Sequence, residues 1–598
     1  MTTLHYAPST RVNQLLSPRR SNCFDSISPV SCTAVPLTLD MIVHDILQLA
    51  GKDACNSDVL VQIAADYIRR GPAAHLDTEP LIPELGARLR HGATSEKEAR
   101  QRQGAFYTPP MLVDFILDHT LAPWQAAHSP AIPTVLDPSC GTGRFLLAAG
   151  KRLVAARQAQ TGECETTAWQ HVGPGLLGLD SDPIATAWLS GRLTSLAGGE
   201  PAAAAGIRTE DALGAHGMSA LEADIVVGNP PFGSPLKTAS HAEAARVAAR
   251  DFGGPTGRYT DLAAIFLGLA QKAVTKHGYL GMVQPLSVLA ARDAAPIRTA
   301  LLETCTLTAA WASSRHVFDA SVYTCAVVFK RTPTTGHFRV ERYRDLPVQP
   351  CHPILIRPTD DSWSPLATAA IGFPDLPLYQ TKGTLGDFCE ATADFRDQYY
   401  GLKPAIEECG NSIDADVVPV VTTGVLDAAR CHWGQRPIRL LGQVWSRPGI
   451  RVPALSASMQ SWAASRLVPK VMLPTQTRTL EPVLDTSGRW LPSVPIITIT
   501  TKDPHDLPRI GAVLACPLIS LLAVHRSLGT ARNPKAIKLS ARDVLTLPTP
   551  ADTSAWDAGA RSFRLAQDAE TQIQCDQHLA ECASHMSTAF GVNEAPGL

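Results

Sequence analysis

The chain has 598 residues, 45% of them hydrophobic, and its 53 Lys/Arg against 55 Asp/Glu leave a formal net charge of -2. That length and apolar content suffice for several cores in a multidomain globular protein, while the near-neutral total points by itself to no polyanionic partner. Fourteen cysteines without CxxC pairs argue against a stapled secreted fold and for a reducing compartment. The longest apolar run, VLACPLISLLAV at 513–524, contains a proline and falls short of the roughly 18 to 20 residues of a membrane helix. The first thirty residues hold no apolar segment resembling a signal sequence, so a cytoplasmic location and no membrane partner are expected.

In chain order, residues 1–36 are rich in Ser, Pro and Thr without a period and are expected to form a loosely ordered tail. Residues 37–94 are expected to be helical. NSDVLVQIAADYIRRG (56–71) opens on a capping pair, carries apolar residues at helical spacing and ends on arginines and Gly71. Over 95–345, short β-rich runs (TVLDPS, GLLGLD, ADIVVGN, GYLGMVQP, TCAVVFKR) alternate with helical segments. This is the pattern of an α/β fold with a mainly parallel sheet and crossover helices. Residues 346–552 carry Pro-punctuated short strands of an α+β domain, and 553–598 hold a last long helix reaching about 590.

Ligands of open α/β sheets sit beyond the carboxyl ends of the strands. The first such end is VLDPSCGTGRFLLAAG (135–150): Asp137 leads into a tight loop containing Ser139, Gly141 and Gly143, and a helix starts near Arg144. Glycines there let a ligand approach the backbone at a helix N-terminus. A plain strand-to-helix turn or a dinucleotide site reads similarly, although Phe145 and Leu146 interrupt GxGxxG. The second end, GLLGLDSDP (175–183), places Asp180 where an acid can grip both hydroxyls of a ribose, while Asp182 reads as the cap of a helix beginning at Pro183. The third, IRTEDAL (207–213), offers Asp211 either as a turn former or as an acceptor for an adenine amino group. The fourth is DIVVGNPPFG (224–233), a buried strand ending abruptly in a stiff turn with Asn229, Pro230 and Phe232.

The order GAFYTPP, LDPSCGTG, LDSDP, EDAL, NPPF resembles the S-adenosylmethionine-dependent DNA adenine-N6 methyltransferases of the gamma arrangement, strongly over 95–345 and weakly over 346–550. The resemblance implies a Rossmann-like domain with a seven-stranded sheet, S-adenosyl-L-methionine as cofactor and double-stranded DNA as partner. It also implies a target-recognition domain after the catalytic one, and a role as the modification part of a restriction or phage-defence system. On the same basis Tyr107 and Thr108 would contact the methionine end of the cofactor. Here Ala212 follows Asp211 where the family often has an aromatic, which makes Ile184 a candidate to cover the cofactor adenine. Similar turns occur in methyltransferases acting on protein glutamine and on guanine N2 of ribosomal RNA, and a catalytically silent DNA-binding subunit is a further alternative.

The exocyclic nitrogen of adenine is a poor nucleophile because its lone pair is delocalised into the ring. The side-chain oxygen of Asn229 and the carbonyl of Pro230, facing its two N–H groups, would favour a pyramidal nitrogen aimed at the methyl group, and the prolines would hold that carbonyl still. Phe232 offers a stacking surface to a base taken out of the duplex, and Phe318 or Val322 could edge it. Cytosine-C5 chemistry would need a thiolate after proline, and Pro350-Cys351 falls in a Pro-rich stretch that reads as a linker.

Residues 430–542 carry 16 Lys/Arg against 4 Asp/Glu, with tryptophans interleaved. Arg436, Arg439, Arg447, Arg451, Arg532 and Lys535 are therefore candidate DNA contacts, a solvated basic face or a protein interface being the alternative reading. Cys575, His578, Cys582 and His585 share a helical stripe nearly three turns long, too extended to close around one zinc, so no metal site is expected. No nuclease arrangement of Asp, Glu and Lys follows a strand, so cleavage would belong to a separate endonuclease or defence subunit. Oligomeric state is not legible.

Overall fold

The structure, a computed structural model, describes residues 39–50, 57–70, 85, 108–214, 217–233, 239–253, 256, 260–318, 322–334, 336–357, 362–529 and 536–592. The expected tail at 1–36 lies outside them. Nine strands form one sheet: β1 (Val135–Asp137), β2 (Leu176–Asp180), β3 (Ile207–Thr209), β4 (Ala223–Gly228), β5 (Val274–Pro285), β6 (Thr306–Ala312), β7 (Thr324–Lys330), β8 (Phe338–Arg344) and β9 (Gln349–Ile356). Their order is β3-β2-β1-β4-β5-β7-β6-β8-β9. Strands β1 to β5 run parallel, and β7 enters antiparallel between β5 and β6.

The sheet is thus wider than the seven strands expected. β8 adds parallel to β6, and β9 returns antiparallel beside β8. The boundary expected at 345 falls inside the β8–β9 hairpin. Cys351, read as part of a linker, pairs with Arg342 within it.

Both faces are covered, as parallel strands with near-continuous apolar runs require. On one face Val135, Ile225, Val227, Val283 and Val328 meet the helices Pro110–His128 and Arg144–Thr161. On the other, Leu136, Val226, Met282 and Val327 meet Leu262–Ala273 and Ala295–Thr304. The N-terminal helices Leu39–Ala50 and Ser57–Arg70 pack Ile42, Ile46, Leu60 and Ile68 against Ile184, Ala185 and Trp188 of the helix Pro183–Leu196. Ile184 is fully buried in that cluster, which removes it as a candidate to cover an adenine.

After β9 the chain builds two four-stranded sheets and several two-stranded ribbons. The single helix expected from 553 is two, Thr553–Asp568 and Gln572–Ala589. The break carries its own start signal, for Thr571 and Gln574 cap each other reciprocally. Both helices share a core with Leu507–Ala515, Pro517–Ser527 and strand residues Val471, Leu473, Ile497 and Ile499, so 553–592 belongs to the C-terminal domain rather than standing apart. Cys575 and Cys582 are buried in that core, and His578 Nδ1 lies 2.9 Å from Glu581.

Lys470 and Asp485 form a fully buried ion pair at 2.6 Å across antiparallel strands, and the carboxylate also accepts from Ser487 Oγ and the backbone N–H groups of Arg489 and Trp490. Removing one partner strands a charge in the interior. Lys470→Met should therefore cost about 3 kcal/mol of C-terminal-domain stability, and replacing Asp485 by Asn as well should recover part of it, since the amide oxygen can still accept from the backbone N–H groups without carrying a charge. Urea unfolding of the single and double variants checks this.

Candidate active site

The loop after β1 is built around two left-handed glycines. Gly141 has φ +50° and Gly143 φ +83°, and a Cβ on Gly143 would fall 2.2 Å from Leu189 Cδ1. Cys140 N donates to Leu179 O at 2.9 Å, tying the loop to β2, and Gly143 N closes the turn onto Cys140 O at 2.7 Å. Gly141 N donates to Asp180 Oδ2 at 2.7 Å, and Asp182 N to Asp180 Oδ1 at 2.9 Å. Asp180 therefore sits at the mouth of the loop, held from both sides. Asp182 accepts from Ile184 N at 3.0 Å and is the helix cap expected of it. Asp211 accepts from Leu213 N at 3.0 Å, which makes it a turn former beyond β3.

Asp137 is buried at the end of β1, accepting from Ser139 N at 3.0 Å and facing Ser139 Oγ at 3.5 Å. Burial, reinforced by the charge of Asp180, lifts its carboxyl to about 7 against the opposing bonds from Ser139. The neighbouring β4 ends on Gly228, where a Cβ would lie 2.8 Å from Asp137 Oδ1.

The turn that follows is held at both ends. Asn229 Nδ2 donates to Thr108 Oγ1 at 3.1 Å, and Thr108 is buried just before the helix Pro110–His128. Arg144 Nη1 reaches the Thr108 carbonyl at 3.4 Å, joining the N-termini of two helices. Pro230 is buried, and Phe232 is partly exposed with its ring edge-on to Phe318, centroids 6.5 Å apart at 85°. At the far end, Gly233 N donates to both oxygens of Asp261 at 3.2 and 3.3 Å, and Leu262 N donates to Gly233 O at 2.9 Å. Asp261 also caps the helix Leu262–Ala273 through Ala263 N at 3.0 Å. Its role in clamping the turn was not among the expectations, although an Asp before an apolar helical run is a recognisable cap.

The strand ends thus bring Thr108, Asp137, Ser139, Gly141, Gly143, Asp180, Asn229, Pro230 and Phe232 to the adjacent strands β2, β1 and β4, with Asp211 one strand further out. Tyr107, Arg532 and Lys535 lie outside the described residues.

The remaining basic candidates are mostly committed. Arg436 forms a two-pronged pair with Asp427 at 2.6 and 3.0 Å; Arg451 pairs with Glu407 at 2.9 Å and Asp414 at 3.0 Å. Arg447 lies over the Trp433 ring at 5.1 Å. Arg439 is exposed and enters no ion pair among the described residues. The charge excess counted over 430–542 is only partly offset by residues 394–427, which hold seven acidic side chains against two basic ones and supply the carboxylates that pair with Arg436, Arg451 and Arg466.

Residues 91–341 match the family described as N-6 DNA Methylase. A curated relative, the Type II methyltransferase M.VspI of Vibrio sp. (strain 343), is 28% identical over 184 residues, covering 31% of this chain and 37% of that protein, so the chain matches little more than a third of its length. Among solved structures, the Type IIL restriction-modification enzyme MmeI in complex with DNA superposes at a TM-score of 0.51 with 12% identity, covering 86% of this chain and 79% of that one. The Type ISP restriction-modification enzyme LlaBIII bound to DNA gives a TM-score of 0.47 with 11% identity over 89% and 45% of the two chains. Among the described residues no single helix is long and apolar enough to cross a membrane.

Asp137 holds its proton to about pH 7 in the folded chain and loses it near 3.8 when unfolded, so the native state binds the extra proton between those values. Stability from this group is then present at low pH and lost as pH rises toward 7. Asp137→Asn should gain stability relative to the parent by about 1.4 kcal/mol per pH unit from roughly pH 4 to 7, with a plateau above. Urea midpoints across a pH series measure the difference.

Proposed function

Residues 91–341 match the N-6 DNA methylase family, and on that premise we propose that the chain methylates the exocyclic N6 of an adenine flipped out of a specific DNA sequence, using S-adenosyl-L-methionine. The observation that carries the reading is the doubly clamped Asn229-Pro230-Pro231-Phe232 turn standing on β4 beside the Asp137 loop. Relatedness to restriction-modification enzymes supports a place as the modification component of such a system, acting alongside a separate endonuclease.

The residues present fit the cofactor. Gly141 leaves the loop backbone open, for a Cβ there would meet nothing nearer than the Asp180 carboxylate at 4.0 Å, while Gly143 lets the loop pack on Leu189. When bound, the sulfonium supplies an electrophilic methyl group. Asp180 already accepts two backbone N–H groups, and an ionised carboxylate has about four acceptor sites, so it can take ribose hydroxyls without releasing the loop. Asp137, Ser139 and Thr108 would hold the methionine end, and Asp211, beyond its bond from Leu213 N, would have a second oxygen for the adenine amino group.

On the substrate side, the bond from Asn229 Nδ2 to Thr108 turns the amide so that Oδ1 is its acceptor toward the target nitrogen, and the Pro230 carbonyl is the second. Together they favour the pyramidal nitrogen that can attack. Phe232 stacks on the extruded base at about 1 to 3 kcal/mol, with Phe318 buttressing its ring. Asp261 keeps the turn from drifting, and a misplacement of about 1 Å there is enough to cost a hundredfold in rate.

Incubating the purified chain with labelled S-adenosylmethionine and DNA, RNA or protein tests the reading directly; label in DNA at adenine is the expected result. Asn229→Ala should abolish transfer while calorimetry shows cofactor affinity nearly intact. Asp180→Ala should instead weaken the cofactor by about 1 to 3 kcal/mol, since it removes the hydroxyl acceptor and frees the loop, and leave DNA affinity unchanged.

A further inference from the structure

A short hairpin in the C-terminal domain is built as a rigid ribbon with an unusual outer face. Ile438–Leu440 pairs antiparallel with Gln443–Trp445 through a two-residue loop in which Leu441 (φ +54°) and Gly442 (φ +82°) are both left-handed. That is the turn whose twist matches a paired ribbon, and a leucine accepts the conformation only when something holds it. The holder is Tyr399, whose hydroxyl accepts from Leu441 N at 2.9 Å. Trp445 Nε1 donates to Leu440 O at 3.2 Å across the tip. Ile438 and Leu440 point into the core, so the cross-strand pair Arg439 and Val444 points away from it, and Val444 is 65% exposed.

The helix that supplies Tyr399 stands beside the hairpin tip and carries exposed groups of its own. Tyr400 stands edge-on to Tyr399, centroids 5.2 Å apart, and is 53% exposed; Arg396 lies over its ring at 5.4 Å, and Phe395 is 73% exposed. Exposed apolar groups interleaved with arginines, on backbone too stiff to bury them, mark a binding surface. Arg439 differs from Arg436, Arg451 and Arg466, each of which is held by a carboxylate.

We propose that this hairpin enters the major groove of duplex DNA, with Arg439 reading a guanine and Val444 beside it touching base edges, while Phe395 and Tyr400 flank the groove. The inference rests on the proposed DNA substrate. The major groove admits a two-stranded ribbon, and a guanidinium with no competing carboxylate matches guanine O6 and N7 with two parallel bonds. The cation on an otherwise apolar outer face is what selects a nucleic acid over an apolar protein partner.

The test begins with the intact chain: methylated positions in plasmid DNA are mapped to define its target, and the map is repeated for Arg439→Ala and Arg439→Gln. The Arg439 side chain is exposed, and thermal melts matching the parent verify the fold. Arg439→Ala should lose the requirement for guanine at one target position and bind the target roughly ten- to a hundredfold more weakly, with cofactor affinity unchanged. Arg439→Gln should shift that position toward adenine. Phe395→Ala should weaken binding severalfold without altering the map. An unchanged map and affinity for both Arg439 variants would overturn the proposal while leaving methylation of DNA standing. Uniform weakening across all sequences, with one unit less salt slope, would make Arg439 a phosphate contact and equally overturn it. If the parent chain labels no DNA, the substrate reading and the hairpin reading fall together, and label in RNA or protein tells which class replaces DNA.

Discussion

The approach of β4 to the Asp137 carboxylate is the constraint on which the rest of the site depends. Only a residue without a side chain can end β4 there, because a Cβ at 228 would stand 2.8 Å from Asp137 Oδ1. That proximity puts the turn that follows Gly228 next to the loop that follows β1, so that the Asn229 turn and the glycine loop share one corner of the sheet. It also buries Asp137 under the turn, which is why burial dominates the rise of its carboxyl to about 7. Everything else at the corner acts to keep it fixed: Asp180 holds the loop, Thr108 holds Asn229, and Asp261 holds Gly233.

The parts of this corner that sequence could reveal are those whose residue type is forced by backbone or chemistry. Left-handed glycines, an acid at a strand end and a Pro-Pro turn leave marks in the sequence, and Asp137, Asp180 and Asn229 stand at the strand ends where those marks put them. Asp261 was passed over because its signature is an ordinary helix cap, and nothing local says that the same carboxylate also reaches a glycine 28 residues earlier. The additional strands were missed for a different reason. FRVERYR in β8 alternates with period two, but it ends one residue before the expected boundary, which cuts it off from β9, and its pairing to β6 is a long-range fact. The break near 570 was readable, since Thr571 and Gln574 form a capping box, yet helical periodicity on both sides masked it.

Charge was the least legible quantity. A window of sequence beginning at 430 counts arginines and leaves out their partners, because Asp394, Glu407, Asp414 and Asp427 come earlier in the chain and reach Arg466, Arg451 and Arg436 only through folding. Burial sorts these pairs by purpose. Arg466 and Asp394 are largely enclosed, with Trp462 Nε1 on the same carboxylate, and serve the domain core. The pairs of Arg436 and Arg451 are solvent-exposed and worth little in stability, so their principal effect is to orient the guanidinium groups. Arginines paired in this way are presented in defined directions, which matters more for positioning a contact than for attracting a polyanion.

The C-terminal domain is joined to the catalytic sheet at a place that lets orientation matter. Its helix Pro517–Ser527 delivers Leu528 into the core around β5 and Gly529 against the backbone of Leu286 and Ser287, the segment directly after β5. A Cβ at 529 would stand 2.6 Å from that backbone, and Gly529 has φ +73°, so contact and conformation both require glycine. Ser364 and Ser362 donate to the His525 carbonyl, and His525 Nε2 donates to Pro374 O at 3.1 Å with its ring kept neutral by burial. Arg342 of β8 closes the joint through a two-pronged bond to Asp375 at 2.7 and 2.8 Å. Since β5 is the immediate neighbour of β4, the domain that would hold the DNA grips the strand beside the one that carries Asn229. A rotation of one against the other would have to break buried hydrogen bonds and a fitted glycine contact, so the placement of the C-terminal domain relative to the Asn229 turn is set by packing rather than by a linker.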